Sequence, residues 1–327
     1  MINDTNIHTF DELDRYIGYM QAIKERSPLT VKEYRYDLVM FFRFYKMHKR
    51  LVDDKTDFDQ IPIDDIDNNC LRKVDINDFY AFITYLSVTR NASAATRSRK
   101  IASIKSFFHY LKLKKRIIDE DPSVELESPK QARKLPKYLT LEESKKLLNA
   151  AAPDIKTLYS ERDYCILTFF LNCGMRLSEL VKINIKDINE DTIKVMGKGA
   201  KERTIYLNSA CIDALNIWLA NRAKESKYKG TDALFVSRLG RRISAKQVQV
   251  TVKKYLQSAG IDSKRYSTHK LRHTAATLMY KYGKVDIRSL QQILGHESIA
   301  TTEIYTHVDS EQLHNAVDSN PLSQIRK

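Results

Sequence analysis

Helical spacing of apolar residues dominates this chain. Phe10, Leu13, Ile17, Met20 and Ile23 recur across residues 10–25 as the stripe of an amphipathic helix. Val31, Tyr34, Leu38, Phe41, Phe42 and Tyr45 predict a second helix, with Ser27 as N-cap and Pro28 at the first helical position, where a missing N–H costs nothing. Asp75 starts a third, carrying Phe79, Phe82, Ile83 and Leu86, and Ser93 a fourth, carrying Ile101, Ile104, Phe107, Phe108 and Leu111. Between the second and third helices the periodicity disappears. Residues 51–73 hold Asp53, Asp54, Asp57, Asp59, Asp64, Asp65 and Asp67 around Pro62 and read as a long, solvated acidic loop.

Pro122, Pro129 and Pro136 break the pattern again over residues 119–137, which read as an interdomain linker. Thr140-Leu141-Glu142-Glu143 is then a capping box opening a second domain. An apolar helix at 160–172 stops at Gly174, and two short strands, 192–196 and 203–207, flank Gly197-Lys198-Gly199-Ala200-Lys201 as a hairpin with two lysines at its tip. Asn208 caps a helix containing Trp218, residues 244–260 form a further amphipathic helix, and 271–280 another. The expected architecture is mainly α with a small antiparallel β-sheet, divided into a helical domain at 1–118, a linker at 119–137 and a second domain at 138–327.

Composition agrees with two domains, because 327 residues exceed the comfortable size of a single core. Lys and Arg outnumber Asp and Glu by 55 to 41, and a formal charge of +14 points to a polyanionic partner. Arg97, Arg99, Lys100 and Lys105 crowd the first half of the fourth helix; with Lys130, Arg133, Lys201 and Lys246 they are the candidate DNA-phosphate contacts. Cys70, Cys165, Cys173 and Cys211 form no short-spaced pair of the zinc or redox kind and are expected reduced. No basic-then-apolar leader and no long uncharged apolar run is present, so a cytoplasmic protein is expected.

The chemistry concentrates in His269-Lys270-Leu271-Arg272-His273, Leu294-Gly295-His296 and Ile304-Tyr305-Thr306. His269 and His273 stand four apart, as zinc ligands on a helix do, but Lys270 occupies the place where a metalloprotease needs glutamate, and phosphate is the better fit. Cleaving a phosphodiester with a protein nucleophile requires fixed cations on the non-bridging oxygens, for which Arg176 and Arg272 are suited. Tyr305 can attack phosphorus and form a covalent intermediate. Lys198, on the glycine-flanked hairpin tip, can protonate the leaving oxygen, while His269 and His296 add donors or help move the tyrosine proton. That scheme requires no metal and no cofactor.

Gly174-Met175-Arg176-Leu177-Ser178-Glu179-Leu180, Gly197-Lys198-Gly199, His269-Lys270-Leu271-Arg272-His273, Leu294-Gly295-His296 and Tyr305-Thr306-His307 resemble, in order, the motif series of the tyrosine recombinases, or phage-integrase family, and most of all its Xer branch. The resemblance spans nearly the whole chain. It implies a two-domain C-shaped DNA clamp, with a helical SAM-like core-binding domain and a tyrosine-recombinase catalytic domain. It also implies that Arg176 and Arg272 bind the scissile phosphate, that Lys198 serves the leaving group, and that His269 and His296 assist. Tyr305 would form a 3′-phosphotyrosyl link, and Glu179 would steady the arginines. Four protomers would act on two double-stranded DNA sites through a Holliday junction, with or without a partner recombinase, at the nucleoid. An inactive DNA-binding accessory protein would have lost some of the six active residues, and none is missing. A type IB topoisomerase fits less well with the Xer-like helical domain and the short chain. The acidic stretch at 51–73 is longer than the usual connection, and Glu311, Leu313, Ala316 and Val317 form a short amphipathic tail suited to packing on a neighbouring protomer or on its own domain.

Overall fold

The structure is a computed structural model describing residues 8–130, 137–152, 159–197, 202–225, 228, 230–283 and 285–308. Two compact units emerge, Met1–Arg133 and Lys134–Lys327.

The first unit is built from α1 (Asp11–Ala22), α2 (Pro28–His48), α3 (Asn68–Lys73), α4 (Ile76–Val88) and α5 (Ala94–Tyr110). Their starts follow from local chemistry. Ser27 Oγ accepts the Thr30 N–H at 3.2 Å with Pro28 beside it, Asp75 and Asp78 cap each other's backbone, and Ser93 Oγ accepts the Thr96 N–H at 3.2 Å. Each cap satisfies an otherwise orphaned donor and contributes about 1 kcal/mol. The core is aromatic: Phe41, Phe42, Phe79, Phe82, Phe107 and Phe108 are wholly buried. Their rings meet edge to face, as at Phe79 and Phe108 with centroids 5.1 Å apart, the arrangement that ring quadrupoles favour. Ile118 and Leu126 belong to this core, so residues expected in the linker pack on the first unit as far as 126.

Residues 51–73 correct the expectation of a solvated loop. Ile61, Ile63 and Ile66 are buried, Asp57 caps a 3-10 turn at Phe58–Gln60, and Asp67 caps α3. Lys46 Nζ donates to Asp65 at 2.7 Å and to the Pro62 carbonyl at 2.9 Å, while Arg43 Nε donates to the Ile61 carbonyl at 3.1 Å. Several of the aspartates thus act as caps and counter-ions for a strap laid over α2. Its isoleucines are spaced irregularly and match neither the helix nor the strand period.

The second unit contains α6 (Leu141–Asn149), α7 (Ser160–Cys173), α8 (Leu177–Leu180), α9 (Ser209–Lys224), α10 (Ala245–Ser258), α11 (Thr268–Tyr282) and α12 (Ile287–Leu294). An antiparallel sheet of β1 (Ile188–Asn189), β2 (Thr192–Met196) and β3 (Glu202–Tyr206), in that order, places Ile193 opposite Ile205 and Val195 opposite Arg203. Thr140 and Glu143 form the expected capping box at α6. The buried helix α7 lies against α9 and α11, and Trp218 Nε1 on α9 donates to the Leu234 carbonyl at 2.9 Å. All four cysteines are free. No helix among the described residues is long and apolar enough to cross a membrane. The 311–327 tail lies outside the described residues.

Candidate active site

The site begins where α7 ends. Gly174 closes that helix at φ +60°, the left-handed region that favours glycine, and a Cβ there would stand 2.9 Å from Leu294 Cδ2. The reversal puts Arg176 at the N-cap of α8. Its backbone N–H donates to Glu179 Oε2 at 2.7 Å, its Nη1 to Oε1 at 2.8 Å, and its Nη2 to the Gly295 carbonyl at 2.7 Å. Gly295, at φ +64°, ends α12, and a Cβ on it would come within 2.7 Å of Arg203 Cδ. Arg272, on the first turns of α11, is 3% exposed and donates Nη1 to the Gly174 carbonyl at 2.7 Å and Nη2 to the Leu294 carbonyl. Each of the two arginines is therefore held by the carbonyl of a left-handed glycine that belongs to the other's neighbourhood.

Glu179 is the hub. Arg203 forks onto it with Nε to Oε1 at 3.1 Å and Nη2 to Oε2 at 2.8 Å, and sends Nη1 to the Ile293 carbonyl at 2.6 Å. Arg272 Nη1 lies 3.9 Å from the same carboxylate. Burial pulls the Glu179 pKa up, but Arg203 and then Arg176 outweigh it, leaving the carboxyl below its ordinary range. Burial, followed by repulsion from Arg176, lowers Arg272 to about 10, which leaves it charged at neutral pH. Three guanidinium groups around one carboxylate make a cation-rich site that favours an anion.

Arg176, Arg203, Gly295, His296, Ser298 and Thr301 face a cleft of ≈ 490 Å³. His296 Nδ1 pairs with the Thr302 hydroxyl at 2.9 Å, which orients the ring, and the His296 carbonyl accepts from Gln291 Nε2 at 3.0 Å. Burial, then Arg272 and Arg176, depress His296 to about 4. His269 is lowered as well, by desolvation first and then by Arg272, Lys270 and Arg176. Tyr305 is 1% exposed, its ring packed among Ala276, Leu290 and Leu294, and its hydroxyl stands 2.7 Å from His273 Nδ1. Burial pushes the phenol up to about 12 even though the Arg272 charge works in the other direction.

The structure brings Arg176, Glu179 and Arg272 together, Arg176 hydrogen-bonded to Glu179 and Arg272 ion-paired with it at 3.9 Å, with His296 directly after the glycine that holds Arg176. His269 meets the His273 ring edge to face at 4.5 Å, and the charges of Arg272 and Arg176 act on it. Lys198, Lys201 and Arg133 lie outside the described residues. Lys100 departs from the expected phosphate contact: it is 4% exposed and donates to Asp37 at 2.7 Å, so helix packing consumes its charge. Arg99 pairs with Asp37 at 2.6 Å and Glu33 at 2.9 Å, and Arg97 donates to the Ala92 carbonyl at 2.6 Å. Lys105 reaches the Val124 carbonyl at 3.1 Å, whereas Lys130 and Lys246 are exposed.

Arg203 and His273 were not among the residues expected at the site, yet Arg203 grips Glu179 and His273 meets the Tyr305 hydroxyl. Arg203 shares the inward face of β3 with Ile205, and an arginine on the apolar phase of a strand signals a buried carboxylate partner.

An immobilised pair of arginines around a buried carboxylate, with a tyrosine hydroxyl beside them, defines a phosphoryl-transfer site that works through a tyrosine. Comparison with known proteins narrows this. Residues 137–312 match the phage integrase family and residues 13–115 match its N-terminal SAM-like domain. The chain belongs to the phage integrase family, the tyrosine site-specific recombinases. It is 53% identical to the tyrosine recombinase XerC of Caldanaerobacter subterraneus subsp. tengcongensis, over 95% of this chain and 87% of that protein. Similar folds occur in the XerH site-specific recombinase bound to palindromic difH substrate in a post-cleavage complex (TM-score 0.70, 23% identity, 94% of this chain and 83% of the other). They occur also in a lambda integrase tetramer bound to a Holliday junction (TM-score 0.62, 16% identity, 88% and 76%).

Proposed function

We propose that this protein exchanges strands between two copies of a specific double-stranded DNA site, acting as a homotetramer and passing through a Holliday junction. The observation that carries the reading is the array of Arg176, Arg272 and Glu179 with Tyr305 behind it. The guanidinium groups bind the non-bridging oxygens of the scissile phosphate and stabilise the charge that grows on them. Tyr305 Oη attacks phosphorus, the 3′-phosphotyrosyl bond forms, and the P–O5′ bond breaks. Lys198 protonates the departing 5′ oxygen, and His296 and His269 donate to the phosphate. The free 5′ hydroxyl of a second strand then attacks the phosphotyrosyl bond, so bond energy is conserved without an external source. Lys130 and Lys246, which are exposed, together with Arg97, Arg99, Lys105, Arg133 and Lys201, remain the candidates for contacts along the DNA backbone. The tetrameric assembly draws support from the lambda integrase tetramer on a Holliday junction. Action at the nucleoid follows from a double-stranded DNA substrate. A palindromic site would make one protein sufficient; unequal half-sites would call for a partner recombinase.

A nicked suicide duplex carrying the recombination site tests this. The unaltered protein should become covalently attached to DNA on a denaturing gel, and Tyr305→Phe should bind the duplex without forming an adduct. An adduct that survives in Tyr305→Phe would assign the nucleophile to another residue. Relaxation of supercoiled DNA without site preference would favour a type IB topoisomerase.

A further inference from the structure

His273 follows Arg272 on α11 and has no part in the chemistry above. Its Nδ1 lies 2.7 Å from Tyr305 Oη, the phenol's hydrogen-bond partner among the described residues. His269 has no hydrogen bond to that phenol among the described residues; it meets the His273 ring edge-on instead. The phenol is sealed from water by the cluster of Ala276, Leu290 and Leu294, so its proton has His273 as its immediate acceptor.

We infer that His273 is the catalytic residue that takes the proton from the Tyr305 hydroxyl during cleavage and returns it during rejoining. This rests on the recombinase reading above. As the Oη–P bond forms and the P–O5′ bond breaks, the phenolic proton passes to Nδ1, giving an imidazolium, while the leaving 5′ oxygen takes its proton from Lys198. Rejoining runs in reverse: the phenolate recovers its proton from His273 and the incoming 5′ hydroxyl gives its own to Lys198. The arrangement requires the tautomer with hydrogen on Nε2. The charged and titratable groups facing His273 are His269, Lys270 and Arg272 on its own helix, His296 just past α12, and Tyr305 from the turn at Glu303–Val308. Burial and then His269, Lys270 and Arg272 hold its pKa down to about 4, which keeps the imidazole neutral and its lone pair open at neutral pH. A bound phosphodiester offsets that repulsion and makes the ring a stronger base.

The test is the first-order rate of adduct formation on the nicked duplex at saturating protein, for His273→Asn and His273→Ala, with DNA binding followed by gel shift. Asparagine can keep a hydrogen bond to the phenol but cannot hold its proton. Both variants should bind DNA as the unaltered protein does and cleave about a hundredfold more slowly. Added imidazole should accelerate His273→Ala alone. Near-normal cleavage by His273→Asn would reduce His273 to a residue that merely positions the tyrosine, and normal cleavage by both would remove it altogether. The unaltered protein supplies a second measurement that needs no variant. On a duplex with sulfur at the leaving 5′ position, which needs no general acid, the rate should climb with pH as an imidazole loses its proton and then level off. A rate that keeps climbing to about pH 10, as expected of a phenol losing its proton to bulk hydroxide, overturns the assignment. No adduct from the unaltered protein on either duplex would sink the cleavage reading itself, and this one with it.

Discussion

Arg203 and Glu179 are joined by two hydrogen bonds, Nε to Oε1 at 3.1 Å and Nη2 to Oε2 at 2.8 Å, with the carboxylate 1% exposed. The pair ties β3 to α8, and because Arg203 also holds the Ile293 carbonyl it ties both to the end of α12. Removing the guanidinium in Arg203→Ala leaves Glu179 with Arg176 as its main partner. The loss of charge-assisted bonds should cost about 2–3 kcal/mol of stability, read as a lower urea midpoint. Arg203→Lys should recover little, because an ammonium cannot fork onto two oxygens.

Gly295 is the second point of leverage. Gly295→Ala places a side chain in left-handed backbone, which costs about 1–2 kcal/mol, and drives it into Arg203 Cδ, 2.7 Å away. Since the Gly295 carbonyl also holds Arg176, cleavage of the suicide duplex should fall at least tenfold while DNA binding stays within a few-fold. Unchanged cleavage would mean that Arg176 finds its position without this carbonyl.

The histidines set the response to acid. His273 and His296 sit at about 4 in the fold, against an ordinary value of 6.5 in the unfolded chain. The unfolded state therefore binds more protons between these limits, and stability should decline as pH falls from about 6.5 toward about 4. Urea midpoints measured at neutral pH and near pH 5 give the slope. His296→Gln should flatten it, and an unchanged slope in that variant would assign the acid sensitivity elsewhere.

Burial separates the lysines into two behaviours. Lys100→Ala removes the 2.7 Å partner of Asp37, which is 0% exposed and keeps Arg99 and Ser103, and should destabilise the first unit by about 1.5–3 kcal/mol, with the salt dependence of DNA binding unchanged. Lys130→Ala and Lys246→Ala should do the opposite, sparing stability and lowering the slope of log affinity against log salt by about 1 each. An unchanged salt slope in the last two would place the DNA contacts on other residues.

In the acidic strap, Ile63→Ala should cost about 2–5 kcal/mol, the range for truncating a buried aliphatic side chain. A freely solvated loop would show almost no change.

Much of the site was readable from residue order. The caps at Ser27, Asp75 and Thr140 depend on chemistry local to a few residues, and the arginine, histidine and tyrosine motifs stand in family order. What escaped depends on long-range partners. Lys100 belongs to a run of basic residues in sequence, yet in helical phase it shares a stripe with Ser103, Ile104 and Phe107, and Asp37 on α2 takes its charge. Arg203 read as an ordinary strand residue because its partner Glu179 is separated from it by two elements of structure. His273 was visible within its motif, but only the fold shows that its ring meets the phenol. The isoleucines of residues 51–73 were hidden by the aspartates around them, since no repeat links Ile61, Ile63 and Ile66.

The burial of Tyr305 has a consequence for chemical labelling. A reagent that nitrates or iodinates accessible phenols will meet Tyr206, 71% exposed, and Tyr282, 64% exposed, long before it meets Tyr305 at 1%. The residue proposed to react with a DNA phosphate is thereby among the least reactive tyrosines toward small electrophiles in water. Brief labelling would decorate the surface while leaving the nucleophile intact, and a protein marked in this way would report on its DNA contacts with its chemistry undisturbed.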